Sequence, residues 1–303
     1  MKKILPLLLF LLSGLAFPLV GQSLPSMLVD AGAVSAGRGG TVLGASPDAF
    51  SARDYAAAMA FAPSKGMGAV SYGRWRPRSG PEQILSFATV CRLGGRFAAG
   101  LSGIGLCMGE YEVMSPNGTA SQVNGIYSPW EAHVALSACC LLAEGLSVGV
   151  TGRFCRSDLG TDARANVGNA DLSLCYLRGG FRAGIAARHL GGAVAYGDGA
   201  PAAQPFCLSA GLGYAFPGRL TVLAESAWFP AYGWTGAAGL EYACREWISL
   251  RGGAHFSGGP YLPSPYASAG VTGRYRGFSL DAAWIFAGKT LRDTLMFTLG
   301  CSF

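Results

Sequence analysis

From about Met67 to Phe303, apolar and polar residues alternate with a period of two, as in strands with one face in an apolar medium. In the last segment Leu295, Phe297, Leu299, Cys301 and Phe303 alternate with Thr294, Met296, Thr298, Gly300 and Ser302. Phe181, Ala183, Ile185 and Ala187 alternate with Arg182, Gly184 and Arg188, and Phe206, Leu208, Ala210, Leu212 and Tyr214 with Ser209, Gly211 and Gly213. Leu146, Val148 and Val150 stand against Ser147, Thr151 and Arg153, and Trp234, Ala238, Leu240 and Tyr242 against Thr235, Gly239 and Glu241. The pattern predicts about fourteen strands, an even number as in single-chain bacterial barrels. They lie near residues 67–74, 83–91, 95–106, 129–142, 144–155, 167–177, 180–189, 205–216, 219–228, 233–243, 246–256, 265–275, 277–286 and 293–303.

The joints between these segments alternate in length. Leu93-Gly94-Gly95, Ala143-Glu144, Arg178-Gly179, Pro217-Gly218, Cys244-Arg245 and Arg276-Gly277 read as tight turns. Longer pieces lie around Pro77 to Glu82, Met108 to Ser128, Arg156 to Asn166, Leu190 to Gln204, Pro230 to Tyr232, Ser257 to Pro263 and Gly288 to Arg292. Short periplasmic turns and longer outer loops are the rule for outer-membrane barrels, and both ends of the strand series fall on the short side. Both termini are therefore predicted to be periplasmic. Trp284 and Phe286 supply aromatic strand ends, as an interfacial girdle would.

Composition sharpens the class. Half of the 303 residues are hydrophobic, 46 are Gly, only 13% are charged, and the mean hydropathy is +0.33. Past residue 21 no run reaches the ~18 apolar residues of a spanning helix. A chain this apolar without such a helix meets lipid by closing a β-barrel, in which every backbone amide is paired between strands. The predicted fold is all-β, a transmembrane antiparallel barrel over residues 67–303. Ahead of it, Lys2 and Lys3 precede an apolar run from Ile4 to Val20 broken by Pro6, Ser13, Gly14 and Pro18, a secretory signal in form. Residues 1–21 are expected to be removed at Gly21, with Ala16 the fallback, leaving residues 22–66 as a Gly-rich, partly helical, plug-like N-terminal segment.

That segment carries a family resemblance. Asp30 to Phe61 reads DAGAVSAGRGGTVLGASPDAFSARDYAAAMAF, followed by Ser64-Lys65 and GMGAVSYGRW. It resembles the start of the PorV/PorQ family, relatives of FadL-type fatty-acid channels, in a Gly-rich stretch with Gly37, Gly39 and Gly40, then Ser46, Pro47, Asp48, Ala49 and Ser51, then Ala57 and Phe61. Phe97 to Val113, FAAGLSGIGLCMGEYEV, resembles that family's third strand and the start of its outer loop. The family's Trp-Asn-Pro-Ala or Tyr-Asn-Pro-Ala element is replaced by Asp54, Tyr55, Ala56 and Ala57, of which only Ala57 matches. The resemblance implies a part in type IX secretion, with the translocon and cargo proteins bearing a C-terminal β-domain as partners and outer-membrane lipid around the wall. The cargo surface it implies is the longest loop, represented by Glu112, Asn117 and Gln122.

A FadL-like channel for a hydrophobic ligand, with the N-terminal segment as plug, is the alternative. Strand parity puts Arg153, Arg182, Arg188, Glu225, Glu241, Arg251 and Asp281 on the lumenal face, where charges must pair or meet water. A network propping the wall is the plainer expectation for them. Catalysis finds little footing: Gly145-Leu146-Ser147-Val148-Gly149 matches a nucleophile elbow, but that motif needs a strand, a sharp turn and a helix, and this run lies in an alternating strand. His133, His189 and His255 lack ligand spacing, so no metal is expected. Gly100-Leu101-Ser102-Gly103-Ile104-Gly105 and Gly37-Arg38-Gly39-Gly40 open no helix after a buried strand, so no nucleotide cofactor is expected either. The nine cysteines are odd in number, and Cys139 and Cys140 point to opposite faces; a bridge between neighbouring strands stays open. The net charge of +6 includes two signal lysines and is scattered, which gives nucleic acid no stripe to bind. Arg74, Arg76 and Arg274, near strand ends, suit lipid headgroups.

Overall fold

The computed structural model describes residues 23–75, 82–114, 123–160, 163–259, 262–286 and 291–303. The expected signal peptide, Asn117, Gln122, and most of the Pro77 to Glu82 and Gly288 to Arg292 connections lie outside them.

The described residues form sixteen strands. They are β1 (Gly66–Trp75), β2 (Glu82–Arg92), β3 (Phe97–Cys107), β4 (Tyr111–Met114), β5 (Val123–Tyr127), β6 (Trp130–Ala143), β7 (Leu146–Asp158), β8 (Arg164–Arg178), β9 (Phe181–Gly191), β10 (Cys207–Ala215), β11 (Leu220–Phe229), β12 (Gly233–Arg245), β13 (Ile248–Ser257), β14 (Tyr266–Tyr275), β15 (Phe278–Ile285) and β16 (Thr294–Ser302). Fourteen of them close an antiparallel barrel, and β4 and β5 form a separate hairpin in the β3–β6 connection. Each barrel strand pairs with its chain neighbour in the barrel, and β1 closes on β16 from Met67↔Ser302 to Arg74↔Leu295. No helix among the described residues is long and apolar enough to cross a membrane.

The alternation decides which face is which. In β16, Leu295, Phe297 and Leu299 are about half exposed on the outside, whereas Thr294, Met296 and Thr298 are buried inside. Leu85, Leu136, Ile185, Leu212 and Leu240 repeat this around the wall, an apolar outer surface that suits hydrocarbon and not water. Aromatic pairs mark both rims. At the long connections Trp228 stacks on Trp234 and Trp284 meets Phe286; at the short turns Tyr176 meets Phe181 and Tyr214 meets Phe216. The nine cysteines are all unbridged, with Cys139 buried and Cys140 partly exposed on the other face.

Two predicted joints are corrected. The Arg156 to Asn166 connection is mostly strand, because β7 runs to Asp158 and β8 starts at Arg164, paired with it. Their tails extend past the apolar belt, so polar residues take over while the ladder continues. Cys244 and Arg245 belong to β12; a register shift between Ala243 and Arg245 carries the strand to the true turn at Glu246-Trp247.

Candidate functional site

Residues 23–65 lie inside the barrel. Among the described residues of this segment the helical pieces are helix α1 (Ala33–Gly37), helix α2 (Ser51–Asp54) and short 3-10 stretches at Pro25–Met27 and Ala56–Phe61. None is long enough to be stable alone, so the wall must hold them. Hydroxyls on the inner face do so by bonding the segment's backbone. Thr298 Oγ1 accepts from the Ala33 amide at 2.9 Å, Ser268 Oγ from Gly39 at 3.1 Å, and Ser173 Oγ from Ala57 at 3.1 Å. Ser86, Ser137 and Ser147 donate to the carbonyls of Ala31, Ala52 and Ala57. The Tyr55 hydroxyl donates to the Leu174 carbonyl at 2.9 Å, over Gly184, whose missing side chain leaves it room. These ties reach β2, β6, β7, β8, β14 and β16, so the segment is gripped around most of the circumference.

Two glycines permit its closest approaches. Gly39 has φ +74°, and a methyl there would sit 2.7 Å from the Ala254 backbone. Gly44 has φ +79°, and its methyl would fall 2.5 Å from the Leu212 carbonyl carbon. In the Ser46 to Ser51 motif the Asp48 amide donates to Ser51 Oγ at 3.1 Å, starting α2, and Ala49 and Ala57 are buried. Arg53 then ties the two halves of the segment together, donating to the Ser26 and Val29 carbonyls at 3.1 and 3.0 Å and to Asp54 at 2.5 Å.

The charged residues at lumenal positions fall into three groups. Arg153 meets Asp171 at 2.8 Å and also bonds Asn169 and the Arg53 carbonyl. Arg188 meets Glu225 at 3.4 Å, and the other Glu225 oxygen accepts the Val42 and Leu43 amides at 2.7 and 2.9 Å. Glu241 gathers Arg251 at 3.0 Å, Arg38 at 3.8 Å and Arg274 at 4.0 Å, while Arg251 also reaches Asp281 at 3.5 Å. Arg182 joins none of these pairs. Sequence reading missed Asp171, although Asn169, Asp171 and Ser173 carry the lumenal parity of β8. It also missed Arg38 and Arg53, which sit in a segment without periodicity. The Asp171 geometry comes from a bulge: Arg188 and His189 together oppose it, His189 has φ 58°, and its amide donates to Asp171 at 2.7 Å.

The segment divides the lumen. Toward the long connections a chamber of about 120 Å³ is lined by Asp30, Arg53, Asp54, Arg188, Glu225 and Tyr266 among others. Burial raises the Asp30 carboxyl to about 6, and the nearby Asp54 adds to the shift; the Tyr266 hydroxyl donates to it at 3.3 Å. Toward the short turns a vestibule of about 660 Å³ is lined by Arg38, Pro47, Asp48, Phe50, Glu241, Arg251 and the turn residues. Ser23, the first described residue, is buried at the long-connection end, donating to the Ala203 carbonyl at 2.7 Å, while Phe303 and the start of β1 share the short-turn end. The two ends of the described chain thus lie on opposite sides of the barrel, unlike the expectation of both on the short-turn side, because the segment ahead of β1 runs the length of the lumen.

The other candidates separate. His133 is buried on β6, His189 bonds the Pro205 carbonyl at 3.0 Å and His255 stacks on Tyr266. Among the described residues no group of three His, Cys, Asp or Glu side chains could hold a metal. Ser147 is fully buried with its hydroxyl committed to Ala57, and Gly149 makes room for the Ala56-Ala57 backbone, which accounts for the elbow-like spelling. Of the predicted cargo loop, Glu112 lies in β4, opposite Ile126 of β5. Tyr127 anchors the hairpin to the rim by donating to Asp158 at 2.5 Å.

A model of the family described as "Type IX secretion system protein PorV" matches residues 18–218. Among curated proteins no match is found. Among solved structures the toluene transporter TbuX of Ralstonia pickettii superposes with a TM-score of 0.70 at 14% identity, covering 91% of this chain and 99% of that one. The toluene transporter TodX of P. putida gives the same figures. A FadL homologue of Pseudomonas aeruginosa gives a TM-score of 0.61 at 13% identity, over 90% of this chain and 98% of that one. At such identities the likeness is one of fold.

Proposed function

The chain belongs to the family of the type IX secretion system protein PorV, and from that membership we propose that it receives exported proteins bearing a C-terminal β-domain and passes them on for surface attachment. Its closed barrel and apolar outer wall make it an outer-membrane protein. In the proposed arrangement residues 1–21 are a cleaved signal, the short turns and Phe303 face the periplasm, and the long connections face outward. Recognition by loops and rim carries the work, and no chemistry is assigned to the chain.

The observation that supports this role is the divided lumen. Residues 23–65 cross it, tied to the wall by hydroxyl-to-backbone bonds, and the ion pairs at Glu225 and Glu241 brace it on the Arg38 to Leu43 stretch. A barrel filled in this way presents its rim and loops to partners. The β4–β5 hairpin stands on that rim with Tyr111 and Ile126 exposed. Replacing Glu112 to Gln122 by a short Gly-Ser turn removes β4 and leaves β3 and β6 intact. The expected outcome is a folded barrel with cargo held in the periplasm; unchanged secretion contradicts the assignment.

A passive channel for hydrophobic small molecules is the second reading, favoured by the fold shared with the toluene transporters named above. It requires the N-terminal segment to act as a movable plug and the charged outer chamber to admit an apolar solute. Uptake of labelled toluene by liposomes holding the barrel tests it.

A further inference from the structure

Two hollows meet at the short-turn rim. Inside is the 660 Å³ vestibule; outside, on the lipid-facing wall, a groove of about 440 Å³ is floored by Gly273 and walled by Trp247, Tyr275, Phe278, Leu280 and Leu299. Both are lined by Trp247, Arg274, Tyr275, Phe278 and Ser279, so they adjoin at the rim. A molecule with an apolar tail and a polar head fits across it.

The groove exists because Gly273 has no side chain. Its cross-strand neighbours are Ile248 and Leu280, and a methyl added there would meet nothing within 4 Å. Facing hydrocarbon, such a gap is filled by an acyl chain.

The charges at the mouth select the head. Glu241 is already engaged by Arg251 and Arg38, and Asp281 by Arg251 and Thr272, which spends the nearer acids within the vestibule. Asp48 is half-buried in the segment, and Glu246 is the exposed acid of the neighbouring turn. Arg274 keeps 43% of its side chain exposed, steadied by a 2.8 Å bond to Ser249 Oγ and a looser 4.0 Å contact with Glu241, whose charge Arg251 and Arg38 already balance. Arg276 lies over the Tyr275 ring at 5.2 Å, on a turn whose two residues, Arg276 and Gly277, have φ 45° and 85°. Two exposed guanidinium groups beside an apolar groove complement a phosphate diester with a neighbouring chain.

We propose that this rim binds one anionic phospholipid of the turn-side leaflet, an acyl chain in the Gly273 groove and the phosphate between Arg274 and Arg276. The site rests on the outer-membrane placement and not on the secretion role, so the failure of either leaves the other standing.

The test is native mass spectrometry of the full barrel released from nanodiscs of equal phosphatidylglycerol and phosphatidylcholine. The wild type is expected to retain one phosphatidylglycerol, preferred about thirtyfold, the scale of two arginines near a membrane surface. Arg274→Gln with Arg276→Gln is expected to bring that preference to near one, and Gly273→Leu to abolish retention of either lipid. Heat-modifiable gel mobility shows that each variant is folded, and Arg276→Gln alone serves if the double variant is not. Equal retention of both lipids by the wild type overturns the site, as does a phosphatidylglycerol preference that survives Gly273→Leu.

Discussion

At the scale of residues, the lumen is held by charges whose partners lie on other elements. Arg153 and Asp171 are buried on adjacent strands, so Asp171→Asn leaves a guanidinium unpaired and is expected to cost about 3–5 kcal/mol, read as the urea midpoint of the refolded barrel; the double change to Met and Leu should cost less. Gly44→Ala adds a methyl to a left-handed residue against the Leu212 backbone and should destabilise by more than about 1 kcal/mol. The same change at Gly152, where a methyl meets nothing within 4 Å, should stay within about 0.5 kcal/mol. Asp30 supplies a pH dependence. Its folded pKa, about 6, stands above the ordinary 3.8, so its contribution is fully present below 3.8 and is lost as pH rises through 6. Thermal midpoints should therefore fall between pH 4 and 7 in the wild type more than in Asp30→Asn, and equal slopes would rule this out. Strand parity predicts a lumenal face for Arg153, Glu225 and Glu241 but says nothing of their partners. Which residue lies across from which depends on the stagger between strands and on bulges, and the Asp171 bulge leaves no mark in the alternation.

At the scale of elements, the strands were legible because lipid on one side enforces a period of two along each of them. The signal stops where lipid stops. The tails of β7 and β8, with Arg156, Ser157, Asp158 and Arg164, are polar and read as loop although they remain paired. The β4–β5 hairpin lies beyond the rim and carries no clear alternation either. The N-terminal segment has no periodicity at all; its Gly-rich wording and its resemblance to a family drew attention to it, but its path through the lumen depends on scattered wall hydroxyls such as Ser86, Ser137 and Ser147. The hairpin is expected to depend on its anchor. Tyr127→Phe removes the bond to Asp158, and cleavage within residues 111–127 by added protease should quicken about tenfold, the size of one charge-assisted hydrogen bond. An unchanged rate would show that the hairpin is held by other contacts.

At the scale of the whole molecule, a closed wall with a crossed lumen leaves the loops, the rims and the outer face as surfaces for partners. A receiving barrel needs this rigidity, because a cargo domain docked on the rim must not open a path through the membrane. A hydrophobic channel needs the opposite, a segment that yields. The two are separated most directly by comparing surface and medium proteins of the native bacterium with and without this gene, scoring those that carry a type IX C-terminal domain. The receiving role predicts that a subset of them accumulates in the periplasm of the mutant and returns to the surface on complementation. Export of all of them at wild-type levels in the mutant would contradict it.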